Sequence, residues 1–134
     1  MSSSTHYYRN ALGSLTYEAD GFVRLTWSSA PVLDDQLQSL YAHTLQALRH
    51  HGTGKLLTDQ RQRQPLPEVA QRWIAEQWIP RARVECAYSH CAIVESSQLV
   101  SRVAARAVGS SQSSPLTFQY FEQEADARHW LLTC

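Results

Sequence analysis

Leu15–Glu18 and Phe22–Trp27 are short stretches rich in β-branched and aromatic residues, with only Ala19, Asp20 and Gly21 between them. That spacing predicts a β-hairpin. In the second stretch Val23, Leu25 and Trp27 alternate with Phe22, Arg24 and Thr26, so one face is apolar and should meet a core. After Ser28–Pro31 the period changes. Leu33, Leu37, Leu40, Tyr41, Thr44, Leu45 and Leu48 recur at steps of three and four, the mark of an amphipathic helix. Asp34 and Asp35 suit the positive end of its dipole, and His50, His51 and then Gly52 suit the other end.

Lys55–Asp59 is short and mainly apolar and runs into the polar stretch Gln60–Gln64, as a buried parallel strand would. A second helix is predicted beyond it. Pro67 fits its first turn, Val69, Ala70, Trp73, Ile74 and Trp78 form its apolar face, and Pro80 should end it. The remaining pattern predicts a strand at His90–Val94, a helix from about Gln98 to Val108 closed by Gly109, and a Ser-rich connector at Ser110–Ser114. A strand at Leu116–Phe121 and a last helix ending near Leu132 follow. A hairpin followed by alternating helices and strands is the signature of an α/β domain with right-handed crossovers. About five strands and four helices are expected, in a single domain spanning residues 1–134, with residues 1–7 a polar start that could stay unstructured.

Three stretches carry a family likeness: Leu57, Asp59 and Arg61; Trp73, Glu76, Trp78, Pro80, Arg81 and Ala82; and Tyr120, Phe121, Glu124, Ala125, Trp130 and Leu131. In their joint order, from about Tyr8 to Leu132, the chain resembles the SpoIIAA-like, or STAS-like, domains of bacteria. The resemblance implies a small α/β sandwich that works mainly through contacts with other proteins. It also implies that some relatives hold apolar ligands in a pocket like that of CRAL-TRIO domains. One departure is visible in the sequence. The anti-sigma-factor antagonists carry a phosphorylatable Ser directly after an Asp at the start of the second helix, whereas Asp59 is followed by Gln60 and preceded by Thr58. The phosphorylation switch is therefore not carried over.

Composition narrows the partners. Twelve basic residues balance twelve acidic ones, so no net field draws the chain to nucleic acid or an anionic membrane. Lys55–Arg83 holds a local excess (Lys55, Arg61, Arg63, Arg72, Arg81 and Arg83 against Asp59, Glu68 and Glu76) close to Trp73 and Trp78. Two indoles five positions apart on a helix point about 140° apart, so they make a poor stacking platform for bases. No apolar run approaches the ~20 residues of a membrane span, and three cysteines without a secretory signal suggest reduced thiols and a cytoplasmic address.

No Gly-x-Ser-x-Gly elbow, His-Glu-x-x-His helix, phosphate loop or telling carboxylate pair occurs, so no catalytic residue, no cofactor and no enzymatic activity are assigned. Cys86, His90 and Cys91 are metal-ligand types, but a fourth ligand and knuckle spacing are missing and small core residues explain them better. His43 and His50 share a helix stripe about 10 Å apart, too far for one ion. The residues assigned to partner or ligand binding are Asp59, Arg61, Arg81 and Trp78. Asp59 ends a parallel strand, where open α/β sheets bind ligands, and Arg81 could reach the same edge. The function expected is that of a non-enzymatic regulatory or protein-interaction domain. The alternative is a sensor of a small apolar ligand, with Trp27, Tyr41, Trp73, Trp78, Tyr88 and Trp130 around a cavity. With Trp73 and Trp78 on different helix faces, one indole would be free to join a homodimer interface.

Overall fold

The computed structural model describes residues 4–110 and 116–134. Six strands form one sheet in the order β1 (Ser4–Arg9), β2 (Gly13–Glu18), β3 (Phe22–Trp27), β4 (Lys55–Asp59), β5 (His90–Val94) and β6 (Thr117–Phe121). β1 to β3 are antiparallel and β3 to β6 parallel, so the α/β fold is as the pattern predicts, with one strand more. The extra strand is β1, and it corrects the reading of residues 1–7 as an unstructured start from Ser4 onward. It pairs with β2 from Ser4 opposite Glu18 to Arg9 opposite Ser14, with the register shifting between His6 and Tyr8. Tyr7 and Tyr8 pack on the core. Antiparallel strands can keep one face in solvent, and no β1 residue joins the cluster under α5, which is why its polar composition disguised it. Residues 1–3, and the expected connector beyond Ser110, lie outside the described residues.

Helix α1 (Asp34–His51) follows the predicted stripe, burying Leu37, Leu40, Tyr41, Thr44, Leu45 and Leu48. Leu33 departs from it: this residue precedes the helix and is 52% exposed. Gly52 closes the helix with φ 63°, its amide donating to the Leu48 carbonyl at 2.8 Å. That left-handed conformation is costly for a residue with a Cβ.

The second helical unit outlasts its expected end. α2 (Glu68–Trp73), a π-helical turn (Ile74–Trp78) and α3 (Ile79–Cys86) are contiguous. The Ile79 amide reaches five residues back to the Ile74 carbonyl, and Pro80 follows in the first turn of α3. Where the ladder has already shifted to the wider register, a ring without an amide disturbs it least, so Pro80 continues the helix it was expected to stop. Val69, expected on the apolar face, is exposed, while Ala70, Ile74 and Trp78 are buried. The last two helices are α4 (Leu99–Ser110), which runs through Gly109 instead of closing before it, and α5 (Glu124–Thr133).

The three parallel crossovers all step the same way across the sheet, and right-handed winding then puts their helices on one face. On that face Val23, Leu25, Trp27, Leu56, Cys91 and Ile93 meet Leu40, Leu48, Ile74, Trp78, Ala104 and Val108. α5 is no crossover and folds back over the other face, where Phe22, Leu57, Ala92 and Val94 meet Ala127 and Leu131. Alternation along β3 thus serves both layers: Val23, Leu25 and Trp27 serve the first, and Phe22 serves the second.

Candidate functional site

At the C-terminal edge of the parallel strands, Thr26, Asp59, Val94 and Phe121 lie in register, so Asp59 points to the α5 side of the sheet. Its carboxylate is almost fully enclosed by donors. Arg61 gives Nε to Oδ1 at 2.9 Å, Nη2 to Oδ2 at 2.7 Å and its own amide to Oδ1 at 3.2 Å. Arg24 Nη2 lies 3.4 Å from Oδ2, and its Nη1 meets Glu124 at the start of α5. Burial alone would raise the Asp59 pKa. The Arg61 hydrogen bonds, with the charges of Arg61 and Arg24, outweigh that and hold it below the usual carboxylate value. The Arg61 side chain remains 49% exposed, so the fork is fixed on one side and open on the other.

A second cluster sits at the end of β5. Glu95 accepts Nε and Nη2 of Arg106 at 2.7 and 2.8 Å, and Arg102 lies 3.7 Å away. The Arg106 hydrogen bonds lower the Glu95 pKa, and the same guanidinium covers the Tyr120 ring at 4.7 Å. Between the two clusters opens a cleft of about 430 Å³, lined by Arg61, Glu95, Ser96, Ser97, Arg102 and Glu122.

Beneath the helices of the other face is a smaller cavity of about 40 Å³. Tyr41, Trp78 and Tyr88 form aromatic walls, Leu66, Ile74, Ile93 and Phe118 apolar ones, and Thr58, Gln60 and Arg63 polar ones. Trp78 is held by its indole nitrogen, which donates to the Tyr41 carbonyl at 2.7 Å, and Trp27 donates to Thr58 Oγ1 at 2.9 Å. Arg63 is 3% exposed, its guanidinium carbon 5.0 Å from the centre of the Trp27 ring. Burial lowers its pKa from 12.5 to about 10 and pushes the thiol of Cys91 and the hydroxyl of Tyr41 each up to about 12.

A family model described as SpoIIAA-like matches residues 22–132 of the 134-residue chain. The chain belongs to the SpoIIAA-like family. No curated protein and no solved structure matches it. Two features of this SpoIIAA-like chain bear on the serine that the antagonists phosphorylate. The position after Asp59 is Gln60, buried and bonded through its amide to the Val94 carbonyl at 2.9 Å. Thr58, the adjacent hydroxyl, faces the helix side of the sheet as acceptor to Trp27.

The four residues expected to bind a partner or ligand do not converge. Asp59 and Arg61 meet at the strand edge. Arg81 lies on α3 and pairs with Glu85 one turn on, so the expected meeting of Asp59 and Arg81 does not occur. Right-handed winding placed α3 on the face opposite the Asp59 carboxylate. Trp78 is buried in the cavity wall. Of the six aromatics expected around a cavity, Tyr41, Trp78 and Tyr88 line it, whereas Trp130 lies across the sheet beside Phe121 and His90. Trp73 packs edge-on against Tyr41 and is partly buried.

The basic stretch likewise disperses: Arg61, Arg72 and Arg81 are each paired with an acid, and Arg63 is buried. His90 and Cys91 take opposite faces of the sheet by strand alternation, and Cys86 Sγ donates to the Leu45 carbonyl at 3.4 Å. His43 and His51 stack on Tyr8 and Tyr17, fastening α1 to the first two strands. Glu95, Arg102, Arg106 and the buried state of Arg63 had no local signal. Each depends on a loop or helix returning to a strand end, as when Ser101 Oγ donates to the Arg63 carbonyl at 3.3 Å.

Proposed function

We propose that the chain is a non-enzymatic regulatory domain that binds another protein at the C-terminal edge of its parallel strands, with no phosphorylation switch after Asp59. SpoIIAA-like domains as a family suggest a regulatory or interaction role. The observation that carries the site is the Asp59–Arg61 fork: a guanidinium fixed by two hydrogen bonds, half in solvent, at the rim of a 430 Å³ cleft. Its outward donors suit a carboxylate on a partner, and a fixed fork loses less entropy on binding than a free side chain. Chemistry at the site is disfavoured because its carboxylates are occupied. Asp59 and Glu95 are held ionised by arginines, the reverse of what a general acid at neutral pH requires. The thiols of Cys86 and Cys91 are raised by burial, away from nucleophilic thiolate. Cytoplasmic placement is part of the proposal, because the free Cys86, Cys91 and Cys134 would stay reduced there.

The test is capture of partners from the native host by the unmodified protein and by Asp59→Asn and Arg61→Ala. Arg61→Ala takes two side-chain hydrogen bonds from the buried Asp59 carboxylate and should cost about 1.5–3 kcal/mol, which leaves the domain folded while a partner is lost. Retention of every partner by both variants would remove the proposal.

A second reading, a small-ligand sensor, is favoured by one observation: the cavity walled by Tyr41, Trp78 and Tyr88 borders the π-helical turn, and such turns recur at binding sites.

A further inference from the structure

Among the described residues Arg63 has no counter-ion, since Asp59 is taken by Arg61 and Arg24, and Glu95 by Arg102 and Arg106. Its Nε is buried without a hydrogen-bond partner. The charges that bear on it come from Tyr41 and Cys91, both neutral at pH 7 because burial raises their pKa values. With its own value at about 10, Arg63 is still a cation at that pH. A buried cation facing, among the described residues, the Trp27 ring and no carboxylate is unfavourable unless an anion joins it.

The space beside it limits what that anion can be. The cavity of about 40 Å³ corresponds to roughly three water positions at ~10–15 Å³ each, too little for a long acyl chain or a nucleotide. Its walls offer one cation and the polar groups of Thr58, Gln60, Tyr41 and Tyr88, against Leu66, Ile74, Ile93 and Phe118. A phosphate dianion would bring more charge than one guanidinium balances, and chloride would leave the apolar walls unused. A carboxylate matches the planar fork of a guanidinium, and a short hydrocarbon matches the remaining walls.

We propose that this cavity binds a short aliphatic monocarboxylate, its carboxylate gripped by Arg63 and its carbon chain against Ile74, Ile93 and Phe118. The inference rests on the reading of the cavity as a ligand site and adds the charge and size of the ligand.

The probe is sodium propionate, compared at constant ionic strength with propionamide and with sodium chloride, in two-dimensional NMR of the full chain. The readouts are the indole N–H signals of Trp27 and Trp78, whose rings border Arg63 and the cavity. Saturable shifts with propionate are expected, with propionamide at least about tenfold weaker because the amide brings no charge to the guanidinium. Arg63→Met should abolish the shifts. Arg63→Lys, which keeps the charge but not the fork, should weaken binding about fivefold or more and guards against a variant that fails to fold. Equal binding of propionate and propionamide would overturn the carboxylate inference while leaving the cavity a ligand site. No shift with either would remove both readings. Shifts reproduced by chloride, or full propionate affinity in Arg63→Met, would also overturn it.

Discussion

Replacing Arg63 with Met should stabilise the empty protein, the opposite of what removing a buried polar side chain usually does. Met keeps the reach and flexibility of the aliphatic stem without the charge. Holding the Arg63 pKa at about 10 in place of 12.5 means that folding disfavours the charged form. At about 1.4 kcal/mol per tenfold, that penalty is about 3 kcal/mol. The substitution also forfeits the stacking of the guanidinium on Trp27, worth about 1–2 kcal/mol in a desolvated setting. The difference leaves a gain of about 1–2 kcal/mol, in the range seen when buried charges give way to apolar side chains. Urea unfolding followed by tryptophan fluorescence should show the midpoint rise by about 0.5–1 M at an unchanged slope. A midpoint that falls by a comparable amount would refute the reasoning, because it would mean that Arg63 is compensated in the folded protein.

Leu40, fully buried on α1 against the sheet, should cost about 2–5 kcal/mol when changed to Ala, and an unchanged denaturation midpoint would contradict the packing. Asp59→Asn should cost about 1.5–3 kcal/mol at pH 7, the range for hydrogen bonds to charged groups, because it leaves Arg24 and Arg61 without their shared carboxylate. Its pH dependence has a definite sign. The folded pKa of Asp59 lies below the ordinary 3.8, so its stabilisation is fully present above that value and is lost as pH falls through the folded value. Acid titration of stability should therefore be shallower in the variant below about pH 4, and parallel acid limbs would count against the pairing. Gly13→Ala should destabilise by about 1–3 kcal/mol, since a Cβ there would stand 2.5 Å from the Thr26 carbonyl oxygen. A neutral effect on the urea midpoint would contradict that close approach.

Periodicity made the centre of the fold legible. The alternation of Phe22–Trp27, the three-and-four spacing of Leu37–Leu48 and the apolar runs of β4 and β5 each answer to burial on a known face, and burial is what pattern reports. β1 escaped because an antiparallel strand needs only one buried face, which Tyr7 and Tyr8 supply in part. Pro80 misled because the rule that proline stops a helix assumes an unshifted ladder, and the π-helical turn before it shifts the ladder. At the site, Asp59 and Arg61 were legible since they are two residues apart and pair locally. Arg81 was placed wrongly because its side of the sheet depends on the crossover and not on its neighbours. Arg61 and Arg63 sit in the same polar run, yet one is half in solvent and the other buried over Trp27. That difference arises from distant partners, Trp27 under the Arg63 guanidinium and Ser101 on its carbonyl, which no window around either residue contains.

The central claim is that a partner protein docks on the strand edge around Asp59 and Arg61. Hydrogen–deuterium exchange on the captured complex, compared with the free protein, tests it most directly. New protection is expected around Arg61, Glu95–Ser97, Arg102 and Glu122, which line the cleft. Protection confined to α5, or to β1 and the exposed side of α1, with the strand edge exchanging as in the free protein, would contradict it.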